Sequence, residues 1–300
     1  MPCVYVGRDA LKRVTMVRRF IRVLSVASRK SLGVVLVITR RVCVGGLDPH
    51  SCLIVREVGR GTPRLAIVYA DACMEVAARR LARELKNSTK LSIAFVSLYD
   101  VIKSSPRLQY ARDVIEPNGD GFAERVVRAL IDCCSDYEVV IEVKCVRDVI
   151  PFGMVCDESA EIPFRTVVRI PELVPKYLRA LRDSGKNVAL LWIECGTDFT
   201  REELDSAIKI VKDIVHGVSE GGEKPEVLEP ELVRSSSAGI FVPSKRVGEE
   251  VVEGEEIGFV DDEKIMSPRD GVLVYVSRGR EVAAGDLLAI VVRDYGKTRL

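Results

Sequence analysis

Residues 247–260 can be laid on residues 278–291 without a gap: Gly248 meets Gly279, Glu250 meets Glu281, Val251 meets Val282, Gly254 meets Gly285 and Val260 meets Val291. A repeat of this kind leaves few folds open. Glycines at fixed places supply positive-φ turns, and the apolar residues between them supply one buried strand face. Each copy is too small to fold alone, so the two are expected to bury their apolar faces against each other in an all-β domain over residues 238–292.

Between the copies, Ser267-Pro-Arg-Asp-Gly-Val-Leu273 opens the second half as a similar turn does in biotinyl and lipoyl domains, and the segment resembles their barrel-sandwich hybrid. A carrier would display one lysine at the tip of the hairpin joining the halves. Lys264 is the candidate, but it lies four residues before Pro268 and lacks flanking methionines. A solvated turn lysine is the simpler expectation, with a carrier or adaptor role as the alternative.

Ahead of this domain the chain is longer and differently patterned. Its 300 residues, 47% of them hydrophobic, can bury a substantial core, and the length suggests two domains of unequal size. The 45 basic and 44 acidic residues nearly cancel, so overall charge does not point to nucleic acid or an anionic membrane. One glutamine and three asparagines against 30% charged residues suit a thermophilic source. Nine cysteines without a C-x-x-C pair argue against a structural zinc site. Most of them are expected to be reduced core residues of a cytoplasmic protein. Residues 1–32 read as a basic extension or helix. Within it Val14–Val26 is apolar but interrupted by Arg18, Arg19 and Arg22, and Met16 is an alternative start; membrane insertion is not expected.

From residue 33 to 218, strands alternate with helices. Gly33–Val44 and Cys52–Val58 flank a turn-rich stretch containing His50 and read as a hairpin, with a third strand at Arg64–Ala70. Helical spacing at Met74–Leu85, Phe122–Asp132 and Glu172–Arg182 leads in each case to an apolar strand: Leu91–Val96, Val139–Val143 and Val188–Ile193. A last helix opens with the capping box Thr200-x-x-Glu203 and runs to about His216. The fold class is therefore α/β, a mixed sheet flanked by helices, plus the C-terminal β domain. Residues 219–237, with two prolines, five glutamates and three consecutive serines, read as a linker, and 293–300 as a tail.

An α/β domain followed by such a sandwich, entered through Ala238-Gly-Ile-Phe241, resembles the succinylglutamate desuccinylase/aspartoacylase family. That resemblance implies a zinc-carboxypeptidase-like fold and hydrolysis of the amide bond of N-acyl amino acids. The family's H-G-D-E segment, whose histidine and glutamate bind zinc, corresponds to Ala72-Cys73-Met74-Glu75; Glu75 is kept, and Ala72 replaces the histidine. The D-L-H-T segment corresponds to Glu142-Val143-Lys144-Cys145, with Lys144 replacing the third ligand. The substrate-binding D-L-N-R segment corresponds loosely to Asp113–Gly119, without its arginine. The V-E-L-G motif corresponds to Ile193-Glu194-Cys195-Gly196, so Glu194 keeps the place of the general acid/base.

A catalytic zinc takes three protein ligands and a water. The chain has two histidines, His50 and His216, neither in a ligand motif. No cofactor is expected, and zinc is the alternative. Two arrangements could replace the lost centre. Asp71 or Cys73 with Glu75 and Cys145 could form a thiolate/carboxylate metal site and sustain an active amidohydrolase. The Lys144 ammonium could instead stand in the metal's place, neutralised by Glu75 and Glu194. The second reading makes the chain a non-catalytic or altered relative that binds a small acidic or amino-acid-like ligand or a protein partner. Arg107, Arg112 and Arg165 are possible cleft residues, and the loop Arg147–Glu161 a possible cover.

Overall fold

A computed structural model describes residues 4–5, 37–44, 52–85, 91–105, 108, 121–164, 166–220 and 224–295. The chain divides into two compact units: residues 1–141 with 175–186, and residues 142–174 with 187–300. The basic segment 1–32, apart from the backbone of Val4–Tyr5, and His50, Arg107, Arg112, Asp113–Gly119 and Arg165 lie outside the described residues. Among the described residues no helix is long and apolar enough to cross a membrane.

Strands β1–β10 belong to a mixed sheet. In the first unit the order is β1 (Val4–Tyr5), β2 (Ile38–Cys43), β3 (Cys52–Val58), β5 (Ser92–Ser97), β4 (Arg64–Tyr69) and then the start of β6 (Val139–Val146). The hairpin read from the sequence is present: β2 and β3 pair antiparallel from Ile38↔Glu57 to Cys43↔Cys52, and a disulfide joins the last pair. Cys43 and Cys52 are thus oxidised, whereas the six other cysteines among the described residues are free thiols, in line with the expectation that most are reduced. Strand β4 lies parallel to β5, as a βαβ crossover through helix α1 (Ala72–Leu85) requires. Helix α1 buries Met74, Ala77, Ala78, Leu81 and Ala82, an i, i+3, i+4 stripe. The short helix α2 (Tyr99–Ser104) was not evident from periodicity, since six residues span fewer than two turns. Helices α3 (Phe122–Cys134) and α4 (Lys176–Asp183) pack against each other. Helix α4 starts four residues later than its apolar spacing suggests, because Pro175 holds the residue before it out of helical geometry and becomes the N-cap.

The second unit continues with the end of β6, then β9 (Asn187–Glu194), β7 (Phe152–Val155), β8 (Thr166–Arg169) and β10 (Glu226–Leu228). Strands β7 and β8 are not evident in the sequence pattern, since four residues are too few for a period to show. Helix α5 (Arg201–Ser219) carries the expected capping box, with the Thr200 hydroxyl accepting from the Glu203 N–H and the Glu203 carboxylate accepting from the Thr200 N–H. The stretch read as linker contributes β10, parallel to β8, and β11 (Pro230–Arg234), antiparallel to β18 (Leu287–Val292). Their pairing is supplied by partners far away in sequence.

The duplicated segment forms two four-stranded sheets, ordered β11-β18-β16-β13 and β15-β14-β12-β17. The strands are β12 (Gly239–Pro243), β13 (Glu250–Val251), β14 (Glu256–Val260), β15 (Glu263–Met266), β16 (Gly271–Val276) and β17 (Arg280–Val282). Each copy lends its short strand to the other copy's sheet: β13 pairs with β16, and β17 with β12. The repeat extends to single hydrogen bonds. The N–H of Gly254 donates to Ser267 O and that of Gly285 to Ser235 O, both at 2.8 Å. Glu255 accepts from the Val252 N–H as Asp286 does from the Ala283 N–H. Gly248, Gly254 and Gly285 have positive φ, as the turns demand; Gly279 does not. Phe241, Val251, Ile257, Val260, Leu273, Val282, Leu288 and Val291 make the core from both copies.

Candidate functional site

In the first unit the carboxylate of Glu75 is completely engaged. It lies in the first turn of α1, where a negative charge suits the helix dipole, and its N–H donates to Asp71 O at 2.9 Å. Arg56, on β3, approaches it end-on: Nη2 donates to Oε1 at 2.6 Å and Nη1 to Oε2 at 3.2 Å. Arg79, one turn further along α1, donates to Oε1 at 2.6 Å. The Tyr69 hydroxyl, at the end of β4, donates to Oε2 at 3.1 Å and accepts from Arg56 Nη1 at 3.0 Å. Arg56 and Glu75 are 9% and 5% exposed, so this is a buried ion pair with its lone pairs filled. Burial alone would raise the Glu75 carboxyl. Hydrogen bonds from Ser97, Arg56 and Arg79 and the Arg56 charge outweigh it and hold the group below its ordinary value. Burial and the adjacent Glu75 charge push the Tyr69 hydroxyl far up, so it stays a donor.

One of the two arrangements open to the sequence set Lys144 against Glu75 and Glu194. Arg56 and Arg79 supply the countercharge of Glu75 within the first unit, and Lys144 lies half-buried on β6 in the second. Arg56 escaped notice because it sits inside the apolar run of β3; a lone arginine in such a run signals a buried acid. Ala72, the first residue of α1, offers no donor atom for a metal. Asp71 is half-buried in the turn before the helix, and Cys73 is buried in its first turn.

In the second unit Glu194 ends β9, half-buried. Its Oε2 accepts from the Val149 N–H at 2.9 Å. The segment around Val149 is the start of the loop read as a possible cover, and it pairs with the sandwich. Val149 bridges antiparallel to Tyr275, the Ile150 N–H donates to Val274 O at 3.0 Å, and the Val276 N–H donates to Asp148 O at 3.3 Å. Arg278 forms an ion pair with Asp148, and the Tyr295 hydroxyl donates to Pro151 O at 2.9 Å. Trp192 meets Tyr275 edge to face at 5.4 Å. Glu194 therefore fastens a loop that is itself fastened to the β domain.

Beside Glu194 stands a residue the motif comparison passed over. Cys195 is buried, and its Sγ lies within 4.8 Å of Cys145 Sγ at the end of β6. The Cys195 N–H donates to Val146 O at 3.3 Å, which keeps the two strand ends in register. The signal in the sequence was cysteine at two motif positions that hold threonine and leucine in D-L-H-T and V-E-L-G. His216, near the end of α5, pairs with Glu220 at 3.2 Å. Lys264 lies within β15 opposite Phe259, past the Asp261–Asp262 turn, with Nζ 3.3 Å from Glu256.

The sequence matches no protein-family model and no curated protein. The fold is similar to that of solved structures. A succinylglutamate desuccinylase/aspartoacylase from Rhodobacter sphaeroides is 16% identical, with a TM-score of 0.65 over 86% of this chain and 96% of that one. An aspartoacylase family protein from Mesorhizobium loti is 16% identical, with a TM-score of 0.66 over 88% and 97%. The ectoine utilization protein EutE (DoeB) of Ruegeria pomeroyi, in a product-bound structure, is 13% identical, with a TM-score of 0.66 over 88% and 96%.

Proposed function

We propose that this chain is a non-hydrolytic relative of the acyl amino acid deacylases whose fold it shares, in which a buried ion pair has taken over the carboxylate that would bind zinc. The observation that carries this reading is the closure of Glu75. A metal-binding carboxylate must turn a lone pair to the ion, yet Oε1 accepts from two guanidinium groups and Oε2 from a guanidinium and a hydroxyl. A dication there would have to displace one of these donors and share the carboxylate with the buried Arg56 guanidinium, whose positive charge opposes it. With Ala72 in the first ligand position, the residues present do not fit the zinc centre of the deacylase motif. The remaining role is binding of a small acidic or amino-acid-like ligand.

Metal analysis and hydrolysis assays test the reading together. Purified protein is expected to hold no zinc at Glu75 and to leave N-acyl amino acids uncleaved when zinc is added. Stoichiometric zinc released by Glu75→Gln, or zinc-stimulated amide cleavage abolished by Glu194→Gln, would overturn it.

A further inference from the structure

The cysteine pair of the second unit has no part in that reading. We propose that Cys145 and Cys195 form a two-thiolate site for a soft monovalent d10 cation of the copper(I) class. Two metal–sulfur bonds of about 2.3 Å placed end to end span about 4.6 Å, and the two Sγ atoms lie within 4.8 Å of each other. The sulfurs are thus placed to share one ion. A disulfide needs them about 2 Å apart, which the registered strand ends do not provide as they stand.

The setting fits the chemistry. Both thiols sit at the ends of neighbouring strands, pinned by the Cys195–Val146 hydrogen bond, so the donors are positioned before the ion arrives. Cys145 is half-buried and reachable, whereas Cys195 is 2% exposed and shields the far side of an ion from water. Binding replaces two thiol protons by one cation: two R–SH and one Cu⁺ give a bis-thiolate complex of charge −1 and two protons released. The Cys195 thiol, which now contacts Gly196 O at 3.7 Å, gives up that weak bond. The Arg147 guanidinium lies over Gly196, where an added Cβ would come within 2.2 Å of it, and supplies a nearby positive charge that favours thiolates. Soft thiolates select copper(I) over hard oxygen-seeking cations, and zinc prefers four ligands to two.

The test is anaerobic titration of the full chain with copper(I) against a chromophoric chelator. Ascorbate serves as reductant, so the Cys43–Cys52 disulfide is left intact. Wild type and the Cys133→Ser control are expected to take up one tight equivalent that Cys145→Ser and Cys195→Ser each lose, with two sulfurs around the metal by X-ray absorption. Bound copper is also expected to protect Cys145 from iodoacetamide in the wild-type protein, a readout that does not depend on the variants folding. Equal uptake by wild type and both variants, an oxygen or nitrogen shell, or unchanged alkylation of Cys145 would overturn the proposal. Zinc bound through Glu75 would instead contradict the ion-pair reading and leave this result untouched, so the two fail separately.

Discussion

Glu75 and Glu194, the two glutamates at which the sequence resembles the deacylase motifs, have opposite surroundings. Glu75, in the first unit, is 5% exposed and spends both oxygens on Arg56, Arg79 and Tyr69. Glu194, in the second, is half-buried and gives one oxygen to a backbone N–H. The same residue type stands at both positions, but the first is part of the core and the second holds a loop in place. A carboxylate at a motif-like position is therefore no measure of its chemistry; what fills its lone pairs is.

The sharpest way to break this contrast is Arg56→Met. It strips the buried carboxylate of its main partner and is expected to cost about 3–5 kcal/mol in chemical denaturation. Arg56→Met combined with Glu75→Met should recover most of that loss, since two apolar side chains leave no uncompensated charge. If the single variant is as stable as wild type, the ion pair is not what holds this part of the first unit.

Acid titration sharpens it further. The folded Glu75 carboxyl is held below its ordinary value of 4.5, so its contribution is fully present above that pH and is lost as pH falls through the lower folded value. Stability followed by denaturant midpoint should therefore drop more steeply below about pH 4.5 in wild type than in the double methionine variant. Equal slopes would remove Glu75 from the account.

The smallest effect is expected at Glu194. Glutamine can still accept the Val149 N–H, so Glu194→Gln should cost about 1 kcal/mol, the difference between a charged and a neutral acceptor. A loss as large as that of Arg56→Met would show that the two carboxylates are alike after all.

Much of this was legible in advance where the signal is local. The repeat gave the sandwich, alternation gave the β2–β3 hairpin, and the Thr200-x-x-Glu203 pattern gave a capping box that forms as read. The misses share a physical cause. β10 and β11 exist because β8 and β18 offer partners, and nothing in their own composition announces it. Arg56 and Cys195 matter through contacts 19 and 50 residues away along the chain. Such pairings are products of topology. Glu75 and Glu194 could be found by motif, but their roles could not, since a role is set by neighbours from other strands.

The backbone seam at residues 148–150 has a mechanical consequence. A carrier domain works by swinging on a slack tether, so the fold of its host does not depend on it. Here the β domain is stitched to the end of β6 through main-chain bonds at Asp148, Val149 and Ile150, and the same short stretch is clasped by Glu194. Cutting the chain before residue 238 would leave that stretch an open edge with unpaired donors and acceptors. The sandwich is thus a keystone rather than a passenger, and a graft or truncation has to carry the seam with it.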